Sequence, residues 1–357
     1  MTTTFHSTRS TTDSLTAKQA IRKGIADDGG LFVSDALGKT KVDVASLPGK
    51  SYQQIAAEVL GALLPDFTAE ELGQCIADAY GEQWSDERIT PLKPLGDDYV
   101  LELFNGPTSA FKDVALQILP RFMAHTAPAD GDADEKIMIL TATSGDTGKA
   151  ALEGFRDVDR TKILVFYPDG GVSEIQKLQM VTQEGRNVGV CAVRGNFDDA
   201  QTGVKRIFSD AQLRGTLASR GYFLSSANSI NWGRVLPQIV YYVSSYCDLL
   251  ASGAIKEGQT VNVCVPTGNF GNILSGFYAK KMGVPIGRLI CASNENNVLT
   301  DFIKTGTYDR NRPFYQTASP SMDILISSNL ERLLSLLSGS DEEVRGYMQK
   351  LSETGRY

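Results

Sequence analysis

A chain of 357 residues, 42% apolar and 22% charged, is too long for one small core and has the balance of an ordinary globular protein. Its net charge of −7 excludes general attraction to nucleic acid or to an anionic membrane, although a few placed donors could still capture a small anion. With only His6 and His125 present, a histidine-rich metal site or a Ser-His-Asp triad is excluded by inventory, so no metal is expected.

The opening residues, MTTTFHSTRSTTD, carry no apolar segment of the secretory kind, and no run approaches the roughly 20 apolar residues of a membrane span. A cytoplasmic protein is the expectation. Residues 1–95 read as a helical, turn-rich region in which Thr68 and Glu71 make a capping box ahead of an amphipathic run, 72–80. A Pro-containing stretch at 90–98 then gives way to a strand-like segment, 99–104, and marks a boundary with the region 96–357. Cys75, Cys191, Cys247, Cys264 and Cys291 fall without metal-ligand spacing in apolar or helical runs and read as small buried hydrophobes.

Beyond the boundary one unit recurs. A strand at 136–141 leads through a Gly-rich turn to a helix at 149–155, a strand at 163–167 to a helix at 172–183, and a strand at 188–193 to a helix at 197–208. Strands at 261–265 and 289–292 lead to helices at 273–281 and 298–304. Parallel strands need helical crossovers, so this alternation implies an α/β fold with two parallel-sheet regions whose ligands lie at the carboxyl ends of the strands.

Three loops at such positions carry candidate chemistry. In Asn105-Gly106-Pro107-Thr108-Ser109-Ala110-Phe111-Lys112-Asp113 the lysine stands between Ala110-Phe111 and Val114-Ala115-Leu116, so a partly desolvated amine with an available lone pair is plausible. By itself the same lysine also reads as a surface side chain at a helix start. Thr143-Ser144-Gly145-Asp146-Thr147-Gly148 offers backbone N–H groups and hydroxyls at a helix N-terminus, either as an anion cradle or merely as capping. No Lys-Ser/Thr pair follows, which disfavours a nucleotide triphosphate. Pro266-Thr267-Gly268-Asn269-Phe270-Gly271-Asn272 allows close backbone approach to a phosphate; as a dinucleotide fingerprint it lacks the first glycine, although Glu295 lies at a tolerable distance.

The segments FNGPTSAFKD, TATSGDTG, SANSINWGR and VPTGNFGN, in this order, resemble the threonine synthase family, pyridoxal-phosphate enzymes of fold type II. FHSTR and DDGGLFV resemble that family's opening segment, so the likeness spans the chain. The resemblance implies that Lys112 carries pyridoxal 5'-phosphate as a Schiff base and that Gly268, Asn269, Phe270, Gly271 and Asn272 hold the cofactor's phosphate. It places Ser144, Gly145, Asp146 and Thr147 on the substrate side and makes Asn228, Ser229 and Arg234 the substrate-phosphate contacts. The implied reaction is a carbon–oxygen lyase step that turns O-phospho-L-homoserine and water into L-threonine and phosphate, the end of threonine biosynthesis, in a monomer or homodimer. A phospho-lyase releasing a keto acid and a non-catalytic binding relative remain as alternatives.

Two departures accompany the likeness. Asn105 stands where many members have His. Members also continue past the position of Tyr357 into a segment that supplies a hydroxyl to the cofactor's ring nitrogen, and no counterpart is visible after Pro320. The final charged helix, 341–357, shows no capping end, so the C-terminal part of the family's catalytic region is expected to be absent.

Overall fold

The computed structural model describes residues 4–126, 135–143, 145–195 and 197–357. Its first helices begin where capping chemistry dictates. Thr16, Ser51 and Thr68 each accept from the backbone N–H three residues on, and Gln19, Gln54 and Glu71 reach back, so the helices Ala17–Lys23, Tyr52–Leu63 and Ala69–Ala79 all start in complete capping boxes. In the last of these, Leu72, Cys75, Ile76 and Ala79 are buried at helical spacing. The N-terminal region also contains strands that the sequence reading left out: Ser10–Leu15, Phe5–Ser7 and Phe32–Ser34 form an antiparallel sheet in that order. The boundary stretch is itself half of a hairpin, Leu92–Leu95 paired with Asp98–Leu101 around Gly96.

Two parallel sheets follow, as the alternating grammar predicts. The larger has the strand order Val188–Val193, Thr161–Pro168, Lys136–Ala142, Tyr222–Ser225. The smaller pairs Val261–Pro266 with Ile286–Ala292. In chain order between the sheets comes the 20-residue helix Trp232–Ala251, sixteen of whose residues are buried. A helix apolar nearly all round belongs inside a core, and this one packs on Gly271–Lys281 and on Tyr52–Leu63. One hydrophobic core therefore runs from Phe5 and Ile55 through Ile137 and Val235 to Val265 and Ile286.

Gly154 fixes where the site will lie. A Cβ there would stand 2.0 Å from the carbonyl oxygen of Leu116, so the helix Asp146–Phe155 rests directly on the short helix Asp113–Leu116 that follows Lys112. The starts of the two helices are thereby brought together.

Two expectations need correction. The helix Asp341–Thr354 is capped at both ends, by the Ser340 side chain on the Glu343 N–H and by Gly355 at φ 77°. Beyond it Tyr357 exchanges both backbone hydrogen bonds with Tyr308 and stacks on its ring. Cys75 and Cys247 are buried, but Cys291 is only partly so and Cys191 and Cys264 are exposed, Cys191 on the edge strand of the larger sheet and Cys264 on the exposed face of its strand. Among the described residues no helix is long and apolar enough to cross a membrane.

Candidate active site

Lys112 is buried, at 8% exposure, which disposes of the surface-lysine reading. Its Nζ lies 4.7 Å from the Phe111 ring centroid and donates to Asp146 Oδ2 at 2.6 Å. Burial pushes the amine below the ordinary lysine range, with Asp146 pulling the other way and Arg234 adding to the depression. For Asp146 burial alone would raise the carboxyl, but Lys112, the Ser321 hydroxyl and the Thr147 N–H outweigh it and hold the group below its usual range. Asp146 was expected to face substrate. It lines the cleft and is at the same time the partner of the lysine.

The loop that presents Lys112 is wound on Asp113. That fully buried carboxylate accepts the Thr108 N–H at 2.8 Å, the Thr108 hydroxyl at 2.6 Å and the Ala110 N–H at 3.4 Å. Gly106 is required there, since a Cβ would come within 2.5 Å of the Asp113 Cβ. Asn105, the departure from the family pattern, bonds Ser85 and not the lysine.

In the second loop, Thr143 Oγ1 accepts the N–H groups of Gly145 at 3.0 Å and Gly148 at 2.9 Å, which closes the turn between strand and helix. Ser144 lies outside the described residues. Thr147 is half-buried, and its backbone N–H helps to hold the Asp146 carboxyl low.

The third loop opens the helix Gly271–Lys281 with Phe270 in the left-handed region at φ 67°. Ser109, in the lysine loop, is likewise left-handed at φ 56°. Strained non-glycine backbone in two of the three loops is the pattern of a constrained site. Asn272 directs its amide oxygen to the hydroxyls of Tyr241 and Tyr242, and so it secures the loop from behind.

Asn228, Ser229 and Arg234 come together at the start of the central helix. Arg234 is 2% exposed, donates to the Ala227 carbonyl at 2.8 Å, and is pushed down to about 10 by burial, against the opposing charges of Asp146 and Asp113. Its Nε and the Asn228 Oδ1 are buried without a protein partner. Eight other buried side-chain atoms among the described residues are in the same state, and Arg234 differs from them in that its charge also acts on Lys112.

Sequence reasoning passed over the segment that closes this site. Ser321 donates to Asp146 Oδ2 at 2.6 Å, and the backbone of Ser321 and Met322 lies 3.1–3.3 Å from where a Gly268 Cβ would stand. A cleft of about 460 Å³ runs along this segment, lined by residues 108–111, Asp146, Lys149, Gln176, Gln179, Pro266 and residues 318–322. The run of Ser and Pro at 319–321 signalled only a turn.

A family model for the threonine synthase N terminus matches residues 4–80. Human threonine synthase-like 1 is 47% identical over 342 residues, covering 91% of this chain and 45% of its own length. Threonine synthase from Pseudomonas aeruginosa is 41% identical over 94% of this chain and 69% of its own. The structure superposes on the crystal structure of PLP-bound threonine synthase from Brucella melitensis with a TM-score of 0.90 at 39% identity, across 99% of this chain and 74% of the other. The chain belongs to the threonine synthase family.

As a threonine synthase family member it has the fold type II architecture of two parallel-sheet regions, and it spans less than half the length of the first relatives it matches. The family's N-terminal unit, residues 4–80, is packed into the same core as the site, with the Phe5 ring edge-on to Trp232 at 5.5 Å. Trp232 opens the helix that carries Arg234.

Proposed function

We propose that the chain acts as a threonine synthase, converting O-phospho-L-homoserine and water to L-threonine and phosphate with pyridoxal 5'-phosphate bound at Lys112. The observation that carries this reading is a buried lysine, held by Asp146, beside a buried arginine with an unpartnered Nε. The residues fit the cofactor. A buried amine suits its aldehyde, and the N-terminus of an 11-residue helix, opened by Gly268 and Gly271, suits its phosphate. Bound there, the cofactor supplies an electron sink for the substrate's α-carbon.

The chain's own residues supply the remainder. Lys112, its proton affinity lowered by burial, serves as the base that takes the α-proton and then a β-proton and returns both, one to the γ-carbon that phosphate has left and one to the α-carbon after water has added its hydroxyl at the β-carbon, while water's other proton goes to the phosphate. Arg234, with Asn228 and Ser229, grips the substrate's phosphate and stabilises it as a departing dianion, for which a guanidinium fork is suited. Gly145, Asp146 and Thr147 form the substrate-side loop, with Asp146 keeping Lys112 in place. The segment 319–322 lines the adjoining cleft, and its Ser321 hydroxyl helps to hold Asp146. Location in the cytoplasm and a monomeric or dimeric state belong to the same proposal.

The decisive experiment is incubation with pyridoxal 5'-phosphate, borohydride reduction and peptide mapping, followed by product analysis with O-phospho-L-homoserine. An adduct on Lys112 together with threonine supports the reading. Absence of any adduct at Lys112 overturns it, and 2-oxobutyrate in place of threonine turns it into a phospho-lyase.

A further inference from the structure

The two loops that face phosphate in the proposed reaction are fastened to one short segment far along the chain. At residues 327–332, the Ser327 hydroxyl donates to the Gly268 carbonyl at 2.6 Å and the Asn329 N–H donates to the Asn269 carbonyl at 3.0 Å. From the same turn, Asn329 Nδ2 donates to the Ser229 carbonyl at 3.1 Å and Arg332 Nη2 to the Ile230 carbonyl at 2.6 Å. Arg332 Nη1 holds the Asn329 amide oxygen, and Nε donates to the Phe32 carbonyl at 2.9 Å. Asn329 and Arg332 are fully buried.

In a trans peptide the C=O of one residue and the N–H of the next point in opposite directions. Pinning the carbonyls of Gly268 and Asn269 therefore turns the N–H groups of Asn269 and Phe270 away from the clamp, and pinning Ser229 turns out the N–H of Ile230. Arg332 also lies over the Trp232 ring, 5.6 Å from its centroid, with the charge of Glu331 acting on it but no carboxylate bonded to it. Its three hydrogen bonds go to neutral oxygens, so its charge remains behind both loops, where anions are to bind.

We infer that Asn329 and Arg332 are positioning residues that lock the cofactor-phosphate loop and the substrate-phosphate loop into one unit. This rests on the functional reading above, since it requires phosphate at both loops. Neither residue touches a reacting atom. Their contribution is the orientation of donors and a fixed positive charge.

The test uses substitutions that break contacts to the 229–230 side and a readout on the 268–271 side. In N329D the donor to Ser229 is lost while an acceptor for Arg332 is kept; in R332K the charge is kept but the fork that spans Phe32, Ile230 and Asn329 is lost. Absorbance titration of the full chain with pyridoxal 5'-phosphate and with pyridoxal gives the preference for the phosphorylated form. Both variants should lose about tenfold of that preference, with pyridoxal affinity changed by less than about threefold. S327A, which gives up one hydrogen bond on the cofactor side, should lose about fivefold. A preference retained in the folded variants, or equal losses for both ligands, defeats the inference while leaving the reading intact. An unsubstituted chain that forms no adduct at Lys112 defeats the reading and this inference with it.

Discussion

Lys112 Nζ and Asp146 Oδ2 stand 2.6 Å apart although the residues are 34 positions apart in sequence, because Gly154 lets one helix lie against the backbone of the other. The groups whose charges act on this amine are Asp146 and Asp113, which favour the ammonium, and Arg234, which opposes it. Substituting Asp146→Asn leaves burial and Arg234 less opposed, so the titration midpoint of Lys112 should fall further below 10.5. At neutral pH the free-base fraction, and with it labelling by trinitrobenzenesulfonate, should rise about tenfold. Peptide mass spectrometry across a pH series reads this directly. A midpoint that stays put or moves up would show that Asp146 does not compensate the lysine.

The same carboxylate predicts an acid dependence of stability. Its folded-state pKa lies below the ordinary 3.8, so its contribution is complete above that value and is lost as pH falls through the folded value. The thermal stability of the native chain should therefore fall as pH drops from about 5 to below 3.8, by more than that of the Asp146→Asn variant. Parallel curves for the two proteins would count against it.

Arg234 offers an unpartnered buried Nε to the site. If Arg234 binds the substrate's phosphate as proposed, replacing it with Ala removes at least one hydrogen bond to a charged ligand, worth about 1.5–3 kcal/mol, so KM for the phosphate ester and the inhibition constant of inorganic phosphate should rise roughly 10- to 150-fold. Borohydride trapping of the cofactor on Lys112 should persist. Turnover and phosphate inhibition left unchanged would place the substrate's phosphate elsewhere.

Packing gives a prediction independent of chemistry. A methyl group on Gly154 would meet the Leu116 carbonyl at 2.0 Å, a distance at which backbone has to move. Gly154→Ala should cost about 3 kcal/mol or more in denaturant unfolding. Because the displaced helix carries Asp146, the pH midpoint of Lys112 labelling should shift in the same direction as in Asp146→Asn. A variant as stable as the parent would contradict the close approach.

Much of this arrangement is legible in the residues, and the illegible part has a physical cause. The strands at 136–141 and 188–193 and the loops after them follow from apolar runs ended by glycine, and the structure places them at Lys136–Ala142 and Val188–Val193. The strands Phe5–Ser7 and Tyr222–Ser225 are too short to show a period, and Ser10–Leu15 is polar except at its end. Lys112 could be singled out, but not its ion pair, since Asp146 in a Gly-rich turn looks like any helix-start acid. Asn329 and Arg332 gave no local signal at all. Their partners Ser229, Ile230 and Phe32 lie 100, 102 and 300 positions away, and their bonds are to backbone carbonyls, which every residue has.

Asp113 yields the last prediction, because it serves both the lysine loop and its electrostatics. Its carboxylate gathers two N–H groups and a hydroxyl from Thr108 and Ala110, and burial raises its pKa despite them. In Asp113→Ala those donors lose their acceptor in a loop with little access to water, at a cost of roughly 2–4 kcal/mol in unfolding free energy. The substitution also removes a negative charge that favours the Lys112 ammonium, but one that does not bond it. The labelling midpoint should therefore fall by less than in Asp146→Asn, while stability falls by more. Measured side by side, the two variants separate the residue that holds the amine from the residue that holds its loop. The reverse ranking in both measurements would exchange those roles.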